Sequence, residues 1–255
     1  MVTKQIRPEA RAKAAQIEKE IELKLRFLID GVRIDDSALE GVGTTYKEKY
    51  AYMFDAVHKR TGKGRMIPSE MELPAGTLVG IREDTESPHA LRKEDGHLVI
   101  KSGRKLLTEV SYLPRPTYYT KKTSDGVEMR RVLPSIGKDC LVYVLSTFCH
   151  YDRFGGTCHF CNINWAQSEH HEERVQMGKK LGQLKEVATE VVKDGRFAHF
   201  ILTGGTMPEE RERAGMLAVL QTYKEVLGVD KLPITVTRSA PSSPEVLEEL
   251  YNHGC

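Results

Sequence analysis

The stretch CLVYVLSTF, residues 140–148, is a continuous apolar run. It constrains the fold more than any other feature. A strand buried on both faces reads this way, whereas a strand with one wet face alternates. The chain after it repeats a pattern. Residues 168–193 carry helical periodicity, with Leu181, Leu184, Val187, Ala188, Val191 and Val192 on one face and Asp194-Gly195 as the stop. FAHFILTGG (197–205) reads as a second strand. Pro208 opens a helix that runs to about Leu227, and Gly228 closes it. LPITVTRS (232–239) reads as a third strand. Ser243 caps a last helix, with Pro244 at its first position and Gly254 at its end. The order is βαβαβα, which implies right-handed crossovers and a parallel sheet. In such sheets ligands gather at the carboxyl ends of the strands.

The chain before this repeat differs in pattern. Residues 8–29 are charged and apolar-periodic, and predict an amphipathic helix ending near Gly31. Residues 44–60 predict a second helix, with Tyr46, Tyr50, Phe54 and Val57 at helical spacing. TLVGIR (77–82), HLVIKS (97–102) and KLLTEVSYL (105–113) predict short strands, separated by turns such as Asp95-Gly96 and Ser102-Gly103. Pro114, Pro116 and the polar run 120–126 read as connection. The expected organisation is a mixed α+β accessory domain over 1–135, with no motif that assigns its role, and a core over 136–255.

Composition narrows the partners and the compartment. A net charge of +2 arises from nearly balanced totals, so no strong field draws nucleic acid or membrane. No apolar run approaches the roughly 18 residues that span a bilayer. The N-terminal stretch has basic residues without an apolar segment, so a secretory signal is not expected, and a cytoplasmic location is. The five cysteines are an odd, uneven set, unlike a disulfide framework.

Three of them, Cys149, Cys158 and Cys161, fall within 13 residues, directly after the first predicted strand of the core. The Cys-x2-Cys pair lets two thiolates converge on one centre. Gly155-Gly156 lets the longer arm fold back so that Cys149 joins them. Three thiolates can bind three irons of a [4Fe–4S] cubane and leave the fourth open to a substrate. A zinc site of Cys3His type competes on spacing alone, with His150, His159, His170 and His171 near. Two further features share the strand ends. Gly204-Gly205-Thr206 closes the second strand, where a tight turn is the plain alternative. Arg238 ends the third, either to pair with a cofactor or substrate carboxylate or as a solvated arginine. The run Glu169-His170-His171-Glu172-Glu173-Arg174 looks like a metal box, but a charged helix face explains it. Cys140 is expected in the core and Cys255 is terminal, so a single cluster is expected.

In this context the chain resembles the radical SAM superfamily. Its members carry three cysteines in the loop after the first barrel strand, with an aromatic residue before the last, here Phe160. The usual spacing is x3 then x2, whereas this chain has x8 then x2. A Gly-Gly-Glu-like motif at the end of the next strand corresponds to Gly204, Gly205 and Thr206, with threonine in place of glutamate. The resemblance implies the first three βα units of a partial TIM-like barrel. It implies cluster binding by Cys149, Cys158 and Cys161, and S-adenosylmethionine binding by Phe160, Gly204, Gly205 and Thr206, with Arg238 as a further cofactor-binding candidate on its own chemistry. It implies an oxygen-sensitive enzyme that takes one electron from an external donor such as flavodoxin or ferredoxin, cleaves S-adenosylmethionine, and uses the 5′-deoxyadenosyl radical to abstract hydrogen from substrate. Members usually have six or eight βα units. Three are expected here, so a truncated reading frame or one part of a split protein is the expectation. An electron-transfer iron–sulfur protein and a structural zinc module are the alternatives.

Overall fold

A computed structural model describes residues 8–49, 66–156, 158–161 and 181–255. The fold is mixed α/β. The described residues 8–49 and 66–115 form one compact unit, and those from 116 to 255 form another.

The first unit begins with helix α1 (Pro8–Asp30), as the periodicity predicts. It ends at Gly31, whose φ of +70° is left-handed; a Cβ there would also meet that of Asp84 at 2.6 Å. Strand β1 (Arg33–Ile34) follows, then β2 (Glu70–Glu72), β3 (Leu78–Gly80), β4 (His89–Glu94), β5 (His97–Ser102) and β6 (Lys105–Tyr112). They make a six-stranded sheet ordered β1-β4-β5-β6-β2-β3, with β1 parallel to β4 and the other pairs antiparallel. The β4–β5 hairpin turns on Asp95-Gly96, both with positive φ, which matches the twist of the flanking strands. Phe27, Met71, Leu91 and Ile100 lie in the core of this unit.

The helix expected over 44–60 does not begin at 44. Residues 44–49 are extended or turned, and 50–60 lie outside the described residues. Tyr46 bridges to Pro114 and packs edge-on against Tyr112, with ring centroids 5.5 Å apart. Its neighbours hold buried ion pairs: Lys47 with Glu70 at 2.8 Å, and Glu48 with Arg115 through two bonds of 2.8 Å. These long-range pairings override a weak local periodicity.

The second unit contains the short helix α2 (Met129–Val132), strands β7 (Ser135–Ile136) and β8 (Cys140–Val144), helix α3 (Leu181–Asp194), strand β9 (His199–Thr203), helix α4 (Glu209–Leu227), strand β10 (Ile234–Val236) and helix α5 (Glu245–Asn252). The sheet order is β10-β9-β8-β7; β8, β9 and β10 are parallel, and β7 is an antiparallel edge. The predicted βαβαβα alternation is therefore present. The core is layered between sheet and helices: Leu141 and Tyr143 of β8 and Phe200 and Leu202 of β9 pack with Leu184 and Val187 of α3 and Met216 and Leu220 of α4. Leu181 and Val192, expected on the inner face of α3, are 43% and 46% exposed. The predicted stretch 168–180 lies outside the described residues.

Residues 116–135, assigned to the accessory domain on sequence, pack within this second unit. Tyr118, Tyr119, Met129, Val132 and Leu133 are part of its core. Thr117 bonds to Asp194 at 2.8 Å, and Ser124 to Glu186 at 2.6 Å, so the segment is tied along α3. No described helix is long and apolar enough to cross a membrane.

Candidate functional site

Three parallel strands end at one level. Val144 of β8 pairs with Thr203 of β9, and Val236 of β10 pairs with Leu202. Main-chain bonds continue just past these ends, from Leu145 N–H to the Thr203 carbonyl (2.7 Å) and from Thr237 N–H to the Leu202 carbonyl (2.8 Å). The cysteine loop, the Gly-Gly turn and Arg238 all leave the sheet here.

Gly204 and Gly205 lie directly against the main chain that leads to Cys149. Gly205 N–H donates to the Ser146 carbonyl at 2.7 Å, and His150 N–H donates to the Thr206 carbonyl at 2.7 Å. A Cβ on Gly204 would stand 2.7 Å from the Ser146 oxygen, and one on Gly205 would stand 2.8 Å from the Cys149 nitrogen. Both distances are below contact, so a side chain at either position would push the two loops apart. Glycine is required here by close approach of two backbones, a reason the sequence alone does not display.

Cys149 is half-buried and precedes a single 3-10 turn, His150–Phe154. Gly155 follows with φ +67°, and Gly156 N–H reaches back to the Tyr151 carbonyl at 3.0 Å, so the longer arm reverses where expected. The Arg153 guanidinium lies 5.4 Å from the Phe148 ring centre. Cys158 and Cys161 form one turn, closed by Cys161 N–H to the Cys158 carbonyl at 3.0 Å, and both are exposed. Phe160, between them, is 92% exposed. None of the five cysteines forms a disulfide. Among the described residues no three Cys, His, Asp or Glu side chains stand together as a metal-ligating group, so Cys149 is not gathered with Cys158 and Cys161. The metal box at 169–174 lies outside the described residues. The donor set is three thiols, none of them in a disulfide, with Cys158 and Cys161 open on a single turn, a set that iron–sulfur and zinc sites both use.

Arg238 is not solvated. Its side chain is 7% exposed, with Nη2 3.2 Å from Glu212 Oε2 and 3.6 Å from Glu209 Oε1. Its Nε donates to the Ser239 carbonyl at 3.1 Å, while Nη1 is buried with no hydrogen-bond partner among the described residues. Burial pushes the Glu212 carboxyl above its ordinary pKa, against the pull of Arg238 and a hydrogen bond from the Met207 main chain. Thr206 Oγ1 meets Ser239 Oγ at 2.7 Å, tying the ends of β9 and β10. Sequence reasoning singled out Arg238 and Thr206 but missed Glu212 and Ser239. The only available signal was a glutamate one turn inside a helix that opens on a strand-end loop, which is a common pattern.

Cys140 starts β8 and is half-buried, and Cys255 packs at the edge of the core, where burial raises its thiol pKa. Comparison with known protein families, curated proteins and solved structures gives no match.

Proposed function

We propose that this chain is a radical S-adenosylmethionine iron–sulfur protein whose second unit is the start of a partial TIM-like barrel. One observation carries the reading. The loop bearing Cys149 and the turn bearing Gly204-Gly205 leave adjacent parallel strands and touch through their main chains, with Gly205 N–H donating to the Ser146 carbonyl and His150 N–H to the Thr206 carbonyl, each at 2.7 Å. A cysteine loop on its own fits zinc equally well. A cysteine loop packed on a Gly-Gly strand end, at the carboxyl edge of a parallel sheet, fits a cluster with a ligand beside it.

Cys149, Cys158 and Cys161 would hold a [4Fe–4S] cluster. The chemistry supplied there is one-electron cleavage of S-adenosylmethionine to methionine and a 5′-deoxyadenosyl radical, with the electron from an external donor such as flavodoxin or ferredoxin. The chain's own share is to bind and orient. Phe160 offers an open ring for the adenine, and the exposed Gly204 leaves main chain accessible to the methionyl group. The Thr206 carbonyl is already engaged by His150, which leaves its neighbours for that task.

Anaerobic reconstitution with iron and sulfide tests this. About four irons and four sulfides per chain are expected, with 5′-deoxyadenosine formed on reduction with S-adenosylmethionine. Each of Cys149→Ala, Cys158→Ala and Cys161→Ala should abolish the cluster. One tightly held zinc with no iron uptake would sink the proposal. A cluster that never yields 5′-deoxyadenosine would favour an electron-transfer protein.

A further inference from the structure

Arg238 sits close enough to the strand ends to touch a ligand, yet its surroundings argue for a different task. With Glu209 and Glu212 ionised, the three side chains sum to −1, so an incoming carboxylate finds no net positive charge. Nε and Nη2 are already committed, to Ser239 and to the two glutamates. What the pair holds is the chain beside the cysteine loop. The Glu212 carboxylate accepts a hydrogen bond from the Met207 main chain, and Glu212 N–H donates to the Pro208 carbonyl at 3.0 Å. Next along the chain, Thr206 is bound to Ser239 through its hydroxyl and to His150 through its carbonyl. Gly205 is bound to Ser146.

We infer that Arg238 is a positioning residue, joined with Glu212 and the Thr206–Ser239 hydroxyl pair into a strut that fixes residues 204–208 and, through them, the loop of Cys149. The strut runs from the end of β10, across the first turn of α4, to the end of β9, and Gly205 transmits it by backbone contact. Its relevance to catalysis rests on the proposed function, but its effect on Cys149 does not. Arg238 then influences ligation without touching the ligand.

The test is the rate at which iodoacetamide labels Cys149 relative to Cys158 in the same metal-free full-length chain, read by peptide mass spectrometry. Cys158 is already exposed and serves as the internal reference. Arg238→Ala and Glu212→Ala should each raise the Cys149-to-Cys158 ratio by roughly tenfold, since breaking a buried pair loosens what it holds. The double variant should rise no further, because both residues belong to one network. Glu212→Gln, which keeps the volume and loses the charge, should fall between. If labelling of Cys140 and Cys255 rises as well, the alanine variants have lost the fold; Glu212→Gln and Ser239→Ala then decide by the same ratio. An unchanged Cys149 ratio in the folded variants overturns the inference. So does additive behaviour in the double variant. A chain that binds no iron refutes the proposed function and leaves the strut to be judged on labelling alone.

Discussion

A Cβ on Gly205 would collide with the Phe148 oxygen, so the requirement for glycine there is steric rather than conformational. Gly205→Ala is expected to destabilise the protein by about 1–3 kcal/mol, as overpacking against main chain does, read as a lower urea midpoint at unchanged slope. Gly156→Ala is the control: a Cβ there stands 3.6 Å from the Tyr151 oxygen, an ordinary contact, so its effect should stay within about 0.5 kcal/mol. Single residues were legible in the sequence where they form a local pattern. The three cysteines and the glycine pair stood out because their spacing is written along the chain, although the reason for the glycines, close approach of two backbones, is not. The Arg238–Glu212 pair could not. It joins residues on different elements, and nothing in the local sequence of either one names the other.

At the level of elements, α3, α4, α5 and the three parallel strands were legible, because a buried parallel sheet with covering helices imposes two distinct periodicities. The stretch 44–49 was misread because four aromatic and aliphatic residues at helical spacing also arise by chance, and there the extended path is held by Glu48–Arg115 and Lys47–Glu70. The docking of α1 was also invisible. Glu20 is buried on its inner face and accepts from Ala75 N–H at 2.6 Å and Thr77 N–H at 3.3 Å. Burial acts to raise its carboxyl pKa, but these donors outweigh it and hold the folded value below the ordinary 4.5. A lowered carboxyl stabilises the fold above its unfolded pKa and loses that contribution as pH falls through the folded value. Stability should therefore drop below about pH 4.5, and the drop should be shallower in Glu20→Gln. Denaturant titrations at pH 7 and pH 3.5 on both chains check the difference, and equal pH dependence would contradict it.

For the molecule as a whole, the division at 115/116 carries a prediction of its own. A chain of residues 116–255 keeps Tyr118, Tyr119, Met129, Val132 and Leu133 in the core of the second unit, whereas one of residues 136–255 loses all five. Each large buried side chain removed costs about 2–5 kcal/mol, so the five together match or exceed the roughly 5–15 kcal/mol by which a domain is stable. The longer piece should unfold cooperatively in urea and the shorter should not. Cooperative unfolding of the shorter piece would restore the boundary drawn from sequence. That boundary was placed late because residues 114–126 carry Pro, Thr, Ser and Gly and look like a linker, while their two buried tyrosines, 118 and 119, are too few to show a period.

The contact between Gly205 and the Cys149 loop has a further consequence for how this chain can vary. Its hydrogen bonds run between peptide groups, from Gly205 to Ser146 and from His150 to Thr206, and any donor residue but proline supplies those. Side-chain identity is constrained where a methyl group would collide and where a hydroxyl pair, Thr206 with Ser239, ties the strand ends. Such a junction keeps its shape through substitutions at the positions that offer it only peptide groups, and two adjacent glycines are the mark it leaves in the sequence.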